Sequence, residues 1–327
     1  MKDDAFPSVA DRLALSRLIS EVENDSENGR AALDRCFTHS GKAHLVGVTG
    51  APGTGKSSLV NRVAQLIRRE GKKTVAIVAI DPSSPFTGGA ILGDRVRMRD
   101  LAGDDGVFIR SMASRGQLGG LARATAGVVQ VLDAAGFDLI MIETVGAGQS
   151  EIDIARLAHT TLVVESPGMG DDIQAIKAGI LEIADILVVN KADRPGIEST
   201  ERALKANLEL GYTHPVSGKA GHGGFQEEVK EQPVDGWMPP VIKTIATEEL
   251  GVPELIKAIE DHRRYLAESG LYYLRERERL KEEFEHLLRY ELVEKWKDNT
   301  STEKVESVLQ EVYARKRSPA SAARELI

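Results

Sequence analysis

Residues 47–67 read GVTGAPGTGKSSLVNRVAQLI, and this stretch decides the fold. Between an apolar run and an amphipathic one lie Gly50, Ala51, Pro52, Gly53, Thr54, Gly55, Lys56 and Ser57, which fit the spacing G-x-x-x-x-G-K-[ST]. Glycines let the backbone turn so that successive N–H groups point at one anion. Lys56 is suited to reach terminal phosphates, and the Ser57 hydroxyl to bind Mg²⁺. A helix beginning just after the loop, with Ser58 in its first turn, adds a favourable dipole. Ahead of the loop, HLVGVTG (44–50) reads as a buried strand; behind it, Leu59, Val63, Leu66 and Ile67 mark one helical face. Strand, loop and helix come in the order that a site for a nucleoside di- or triphosphate requires.

The chain has 327 residues, 42% apolar and 28% charged, which suits a soluble globular protein with a substantial core. A net charge of −8 gives no electrostatic reason to expect nucleic acid as a partner. Cys36 is the single cysteine, so neither a disulfide framework nor a Cys-based metal site can form within one chain. That fits a cytoplasmic location, and Cys36 is expected in the core. No apolar run is long enough to span a bilayer, and the polar N-terminus does not read as a signal peptide, so no membrane association is expected.

The expected domains are an N-terminal helical segment (1–40), an α/β domain (41–266) and a C-terminal helical arm (267–327). In the first, Ser8 is expected to cap a helix striped by Leu15, Leu18, Ile19 and Val22, followed by a second striped by Leu33, Cys36 and Phe37. In the second, HLVGVTG, TVAIVAID, GVFIRS, FDLIMIE, TTLVVE, DILVVN and PVIKTIA alternate with helical patterns. They are Val- and Ile-rich and apolar on both faces, which predicts a mostly parallel sheet covered by helices on both sides. SMASRGQLGG (111–120) reads as a Gly-rich loop, and 214–240 as a surface insertion. In the arm, Leu280, Phe284, Leu287, Leu288, Leu292 and Trp296 form one apolar face. A second helix carries Val305, Val308, Leu309, Val312 and Tyr313, and a frayed tail is expected from Ser318.

DILVVNKAD ends a strand with Asn190, Lys191, Ala192 and Asp193, an N-K-x-D box. A carboxylate at Asp193 can accept from guanine N1–H and the 2-amino group, whereas adenine offers neither in that geometry. Ala246 and Thr247, after another strand, sit where such folds place a backbone contact to the base. Asp81 and Glu143 end two strands, and Asp94 follows in PSSPFTGGAILGD. Glu143 with Gly146 reads E-x-x-G where P-loop GTPases usually have D-x-x-G, the acid holding Mg²⁺ through water and the glycine sensing the γ-phosphate. Glu143 could contact a metal-bound water or orient the attacking one. Asp171, Asp172, Gln174 and Lys177 lie on a further polar loop entering a helix.

Together these motifs resemble the MeaB/ArgK family of P-loop GTPases, chaperones of adenosylcobalamin-dependent acyl-CoA mutases. GVTGAPGTGKSS, AIDPSSPFTGGAILGDRVRM, IRSMASRGQLGG, AGFDLIMIETVGAGQSE, GDDIQAIKAGILEIADILVVNKAD and IEDHRRYL carry the likeness across nearly the whole chain. The resemblance implies a P-loop NTPase fold, GTP/GDP and Mg²⁺ as ligands, and Asp81, Asp94 and Glu143 around the metal and water. It marks 171–177 as an extra switch answering to the mutase, with Gln174 and Lys177 as its active groups. It also implies a homodimer through the C-terminal helices; a cobalamin adenosyltransferase is a further candidate in the complex. The sequence departs from many members around 211–240. Two other readings are a metal-delivery GTPase, against which seven scattered histidines and one cysteine argue, and a kinase acting on a transport protein, against which the N-K-x-D box argues.

Overall fold

The computed structural model describes residues 6–71, 73–82, 98–101, 103–114, 120–144, 150–168, 182–212 and 236–327. Each of the seven Val- and Ile-rich runs supplies one strand: β1 (His44–Thr49), β2 (Val75–Pro82), β3 (Val107–Ser114), β4 (Leu139–Thr144), β5 (Thr160–Glu165), β6 (Ile186–Asn190) and β7 (Val241–Thr244). They form one parallel sheet in the order β3-β2-β4-β1-β5-β6-β7. β1, β4 and β6 are buried along their full length, which is why their sequences do not alternate.

Seven helices accompany the sheet among the described residues: α1 (Arg12–Glu23), α2 (Glu27–Phe37), α3 (Lys56–Gly71), α4 (Gly120–Ala134), α5 (Ser150–Leu157), α6 (Ile197–Tyr212) and α7 (Val252–Glu268). On one face, Val46, Val48, Ile77 and Met141 share a core with Leu59, Val63 and Leu66 of α3 and Leu255 of α7. On the other, Leu45, Val78, Ile140 and Ile142 join Leu132 of α4, Ile154 of α5, Leu15 and Ile19 of α1, and Cys36 of α2. Each such aliphatic side chain contributes about 1.5–3 kcal/mol by leaving water. Burial pushes the Cys36 thiol up to about 11, so it sits there as a neutral apolar group.

Several local expectations are corrected. Ser8 does not cap α1; Asp11 precedes the helix, and its carboxylate instead accepts from Ser8 N and Oγ. Phe37 lies at the end of α2 and is 54% exposed, outside the face marked by Ala32 and Cys36. Residues 111–114 continue β3 because they pair with Ala79–Pro82 of β2; 115–119 lie outside the described residues. Of the expected insertion, 214–235 also lie outside, but Trp237 is partly buried, its indole donating to Asp185 O at 2.7 Å.

The chain divides into two compact units, Met1–Glu276 and Arg277–Ile327, with the boundary inside α8 (Leu271–Asn299). The second unit continues with α9 (Thr302–Tyr313), which Ser301 caps through Lys304 N. The expected frayed tail is instead α10 (Pro319–Leu326), because Ser318 caps it and proline stands at its start. Val308 and Ala322 are buried in this unit. No residue of α8 is buried, and Phe284, Leu288 and Leu292 are 64%, 46% and 59% exposed. Among the described residues no helix is long and apolar enough to cross a membrane.

A buried polar network closes the amino edge of the sheet. His44 Nε2 contacts Thr160 Oγ1 at 2.9 Å, Thr160 Oγ1 contacts His262 Nδ1 at 2.8 Å, and His262 Nε2 lies 3.3 Å from Asp185 Oδ1. The Thr160 hydroxyl thus lies between the two rings, within hydrogen-bond distance of each. His44 Nδ1 and His262 Nε2 are both buried without a hydrogen-bond partner. Asp185 also accepts from Thr161 N at 2.8 Å and from Arg275 at 2.8 and 3.0 Å. Burial pushes its pKa up, but His262 and the hydrogen bonds from Arg275 outweigh that and hold it below the usual carboxylate range.

Candidate nucleotide-binding site

The site lies outside the carboxyl ends of the strands, where β1 runs between β4 and β5 while the chain crosses from β1 to β2. Such a switch point is where open parallel sheets bind ligands. The loop leaving β1 must pass close beneath its neighbours. A Cβ at Gly50 (φ +136°) would fall 2.0 Å from Val164 O, and one at Gly55 (φ +93°) would fall 2.4 Å from Asn190 Nδ2. Both positions therefore require glycine, for space and for φ.

Thr54 is fully buried and donates through Oγ1 to Ala51 O at 3.0 Å, tightening the loop. Lys56 begins α3, is 5% exposed, and donates from Nζ to Gly50 O and Ala51 O, each at 2.9 Å. Its ammonium is thereby held over the loop that it follows. Ser57 Oγ donates to Glu143 Oε1 at 2.5 Å, and Glu143 is 5% exposed near the end of β4. Ser58 follows in the first turn of the helix. Asp81 is the penultimate residue of β2, two beyond Ala79, the register partner of Glu143, towards the same edge of the sheet. Asp94, Gly146, Gln174 and Lys177 lie outside the described residues.

Asn190 ends β6 and is 2% exposed. Its Nδ2 donates to Thr54 O at 2.9 Å; its Oδ1 accepts from Thr244 Oγ1 at 3.1 Å and Ala246 N at 3.2 Å. Lys191 takes a left-handed backbone (φ +59°), and its Nζ donates to Gly53 O at 2.5 Å. Asp193 follows in an exposed turn, which Ala192 N fastens to Thr244 O at 3.1 Å. Ala246 and Thr247 form the short 3₁₀ turn after β7, Ala246 buried and Thr247 exposed. Asn190, Lys191 and Ala246 thus come together with the phosphate loop. Thr244 belongs to this cluster, yet nothing in VIKTIA distinguished it from an ordinary strand threonine.

Hard oxygen donors at Ser57 and Glu143 suit a small divalent cation such as Mg²⁺. Among the described residues no cluster of three or more His, Cys, Asp or Glu could hold a metal by itself.

Residues 15–301 match the family described as methylmalonyl-CoA mutase-associated GTPase MeaB. The chain belongs to this family of GTPases. A protein of Pyrococcus abyssi named as a putative GTPase is 44% identical over 96% of this chain and 91% of its own length. GTPase ArgK of Escherichia coli is 37% identical over 80% of this chain and 75% of its own. Among solved structures, a LAO/AO transport system kinase superposes with a TM-score of 0.66 at 26% identity, covering 97% of this chain and 92% of that one. The fold is that of a P-loop NTPase, and membership of the family implies guanine-nucleotide binding.

Proposed function

We propose that this MeaB-family chain is a Mg²⁺-dependent GTPase that gates cofactor loading into an adenosylcobalamin-dependent acyl-CoA mutase and protects that enzyme. The observation that carries the nucleotide half of the reading is the Asn190 amide. It joins Thr54 of the phosphate loop to Ala246 of the base-side turn, so one buried side chain fixes the span between phosphate and base. In this reading the N–H groups of 50–58 cradle the phosphates and Lys56 faces the terminal ones. Lys191 covers the base, and Asp193 accepts from N1–H and the 2-amino group.

Ser57, Asp81, Asp94 and Glu143 would hold Mg²⁺, which supplies charge neutralisation on the β- and γ-phosphates. Glu143, already bonded to Ser57, would contact a metal-bound water or orient the attacking one; Gly146 would sense the γ-phosphate. The motifs name no residue as an arginine finger, and slow basal turnover is the expectation; a group supplied from outside can be worth ~10³–10⁵ in rate. Gln174 and Lys177 would fill that role once the mutase docks, with a cobalamin adenosyltransferase as a further member of the assembly.

The mutase half rests on the family description and on the motif resemblance. The exposed stripe on α8 supports a homodimer, since an apolar face of this length is usually covered. Single-turnover GTP hydrolysis with and without a saturating adenosylcobalamin-dependent mutase tests the reading. Stimulation that Lys177→Ala abolishes is expected; equal rates with and without mutase would refute it.

A further inference from the structure

A second polar cluster ties the phosphate helix to the base-side turn. Arg62 lies on α3, whose first residues are Lys56 and Ser57. Its Nε donates to Ala246 O at 3.2 Å and its Nη1 to Glu249 Oε1 at 3.0 Å. Arg69, about two helical turns further along the same face, donates to Glu249 Oε2 at 2.8 Å. Ala246 is therefore held through both polar atoms of its backbone. The N–H goes to Asn190 at the end of β6, the carbonyl to the phosphate helix.

The turn closes on itself, Ile245 N donating to Leu250 O and Glu248 N to Ile245 O, each at 2.9 Å, and the two ties at Ala246 fasten it to its neighbours. Thr247, Glu248 and Leu250 are exposed, so apolar packing reaches only Ala246. Glu249 has φ +62°, a backbone conformation unfavourable for a residue with a Cβ. The guanidinium fork suits the task, because its rigid, planar set of N–H donors can reach a carbonyl and a carboxylate at once. An ordinary exposed ion pair would touch only the carboxylate and would move nothing.

We propose that Arg62 is a positioning residue for base recognition: it holds the 246–249 turn at a fixed offset from the phosphate helix, sets the preference for guanine, and slows nucleotide release. This rests on the guanine-nucleotide reading above. The same helix would then grip the ligand at one end through Lys56 and Ser57 and, through Arg62 and Arg69, brace the turn beside the other.

The test uses the full chain as wild type, Arg62→Ala, Arg62→Lys and Glu249→Ala. It measures release of fluorescent GDP by stopped flow and dissociation constants for GDP and ADP by competition. Arg62→Ala should speed GDP release about tenfold and lower the ADP-to-GDP ratio of dissociation constants by a similar factor, equivalent to about 1.4 kcal/mol. Arg62→Lys, able to satisfy one acceptor, should recover part of the loss. Glu249→Ala should have the smaller effect, because the contact to the Ala246 carbonyl remains. Release within about twofold of wild type in Arg62→Ala, well under 1.4 kcal/mol, would overturn the proposal. So would a parallel fall in GDP and ADP affinity, which would mark general damage rather than base positioning. If the wild type itself bound ADP as tightly as GDP, the guanine reading would fail, and this proposal with it, before any variant was compared.

Discussion

Lowering the pH from 7 to 5 should expose the bare nitrogen of His44. The ring is 3% exposed, and burial, reinforced by the neighbouring charges of His159, Arg263 and His262, pushes its pKa from 6.5 to about 2; Asp185 opposes the shift weakly. In the unfolded chain His44 takes up a proton as the pH falls through 6.5. In the folded protein Nδ1 is buried with no side-chain or backbone acceptor to receive that proton. The unfolded state therefore binds more protons, and stability rises with pH over this window. The contribution is full above 6.5 and is lost as the pH falls towards the folded value of about 2. At about 1.4 kcal/mol per pH unit, the span from 6.5 to 5 costs ~2 kcal/mol from this one ring.

His44→Gln keeps an N–H within reach of Thr160 and cannot titrate. Urea unfolding at pH 7.5, 6.5 and 5 should show the variant losing about 2 kcal/mol less than wild type between the first and last. Equal pH slopes for the two proteins, or an NMR titration of the His44 ring above about pH 5, would refute the reasoning.

Three further outcomes follow from the site and the arm. Gly55→Ala sets a Cβ 2.4 Å from Asn190 Nδ2 at φ +93° and should cost about 1–3 kcal/mol while abolishing nucleotide binding; retained GDP affinity in a titration would contradict the steric argument. Asp193→Asn should weaken GTP and favour xanthine nucleotide, since the amide offers a donor where guanine also presents one; unchanged GTP affinity sinks the assignment. Light scattering at micromolar concentration should give a dimer that Phe284→Glu dissociates, and a monomer for the intact chain would exclude the α8 face as its seam.

What could be read from the sequence was whatever depends on neighbours a few residues apart. The strands were visible because a parallel sheet buried on both faces needs unbroken runs such as LIMIET and ILVVN. The phosphate loop was visible because its glycines are forced by local turns. The N-K-A-D box was legible as residue types, but the reason Asn190 is needed, a bond to Thr54 O across 136 positions, was not. Arg62 and Glu249, 187 apart, looked like ordinary surface charges on their separate elements. Asp133 gave no sign that its carboxylate would accept from the N–H groups of Gly41, Lys42 and Ala43 to steer the chain into β1. SMAS reads as loop because it has no β-branched or aromatic residue; pairing with β2 overrides that local signal.

The amino edge of the sheet also imposes an order in time. On a ribosome the strands up to β6 are complete once residue 190 has emerged, yet Asp185 at the foot of β6 still lacks its cation. Arg275 is made 90 residues later, and His262 shortly before it. At about 5–20 residues per second, that leaves the carboxylate waiting on the order of ten seconds. Until then Thr161 N has an acceptor whose own charge is uncompensated. The central sheet therefore locks late, when the first turn of α8 arrives, and a nascent chain held at residue 270 should exchange the Thr161 amide far faster than the released protein; equal exchange would show that the sheet closes without Arg275.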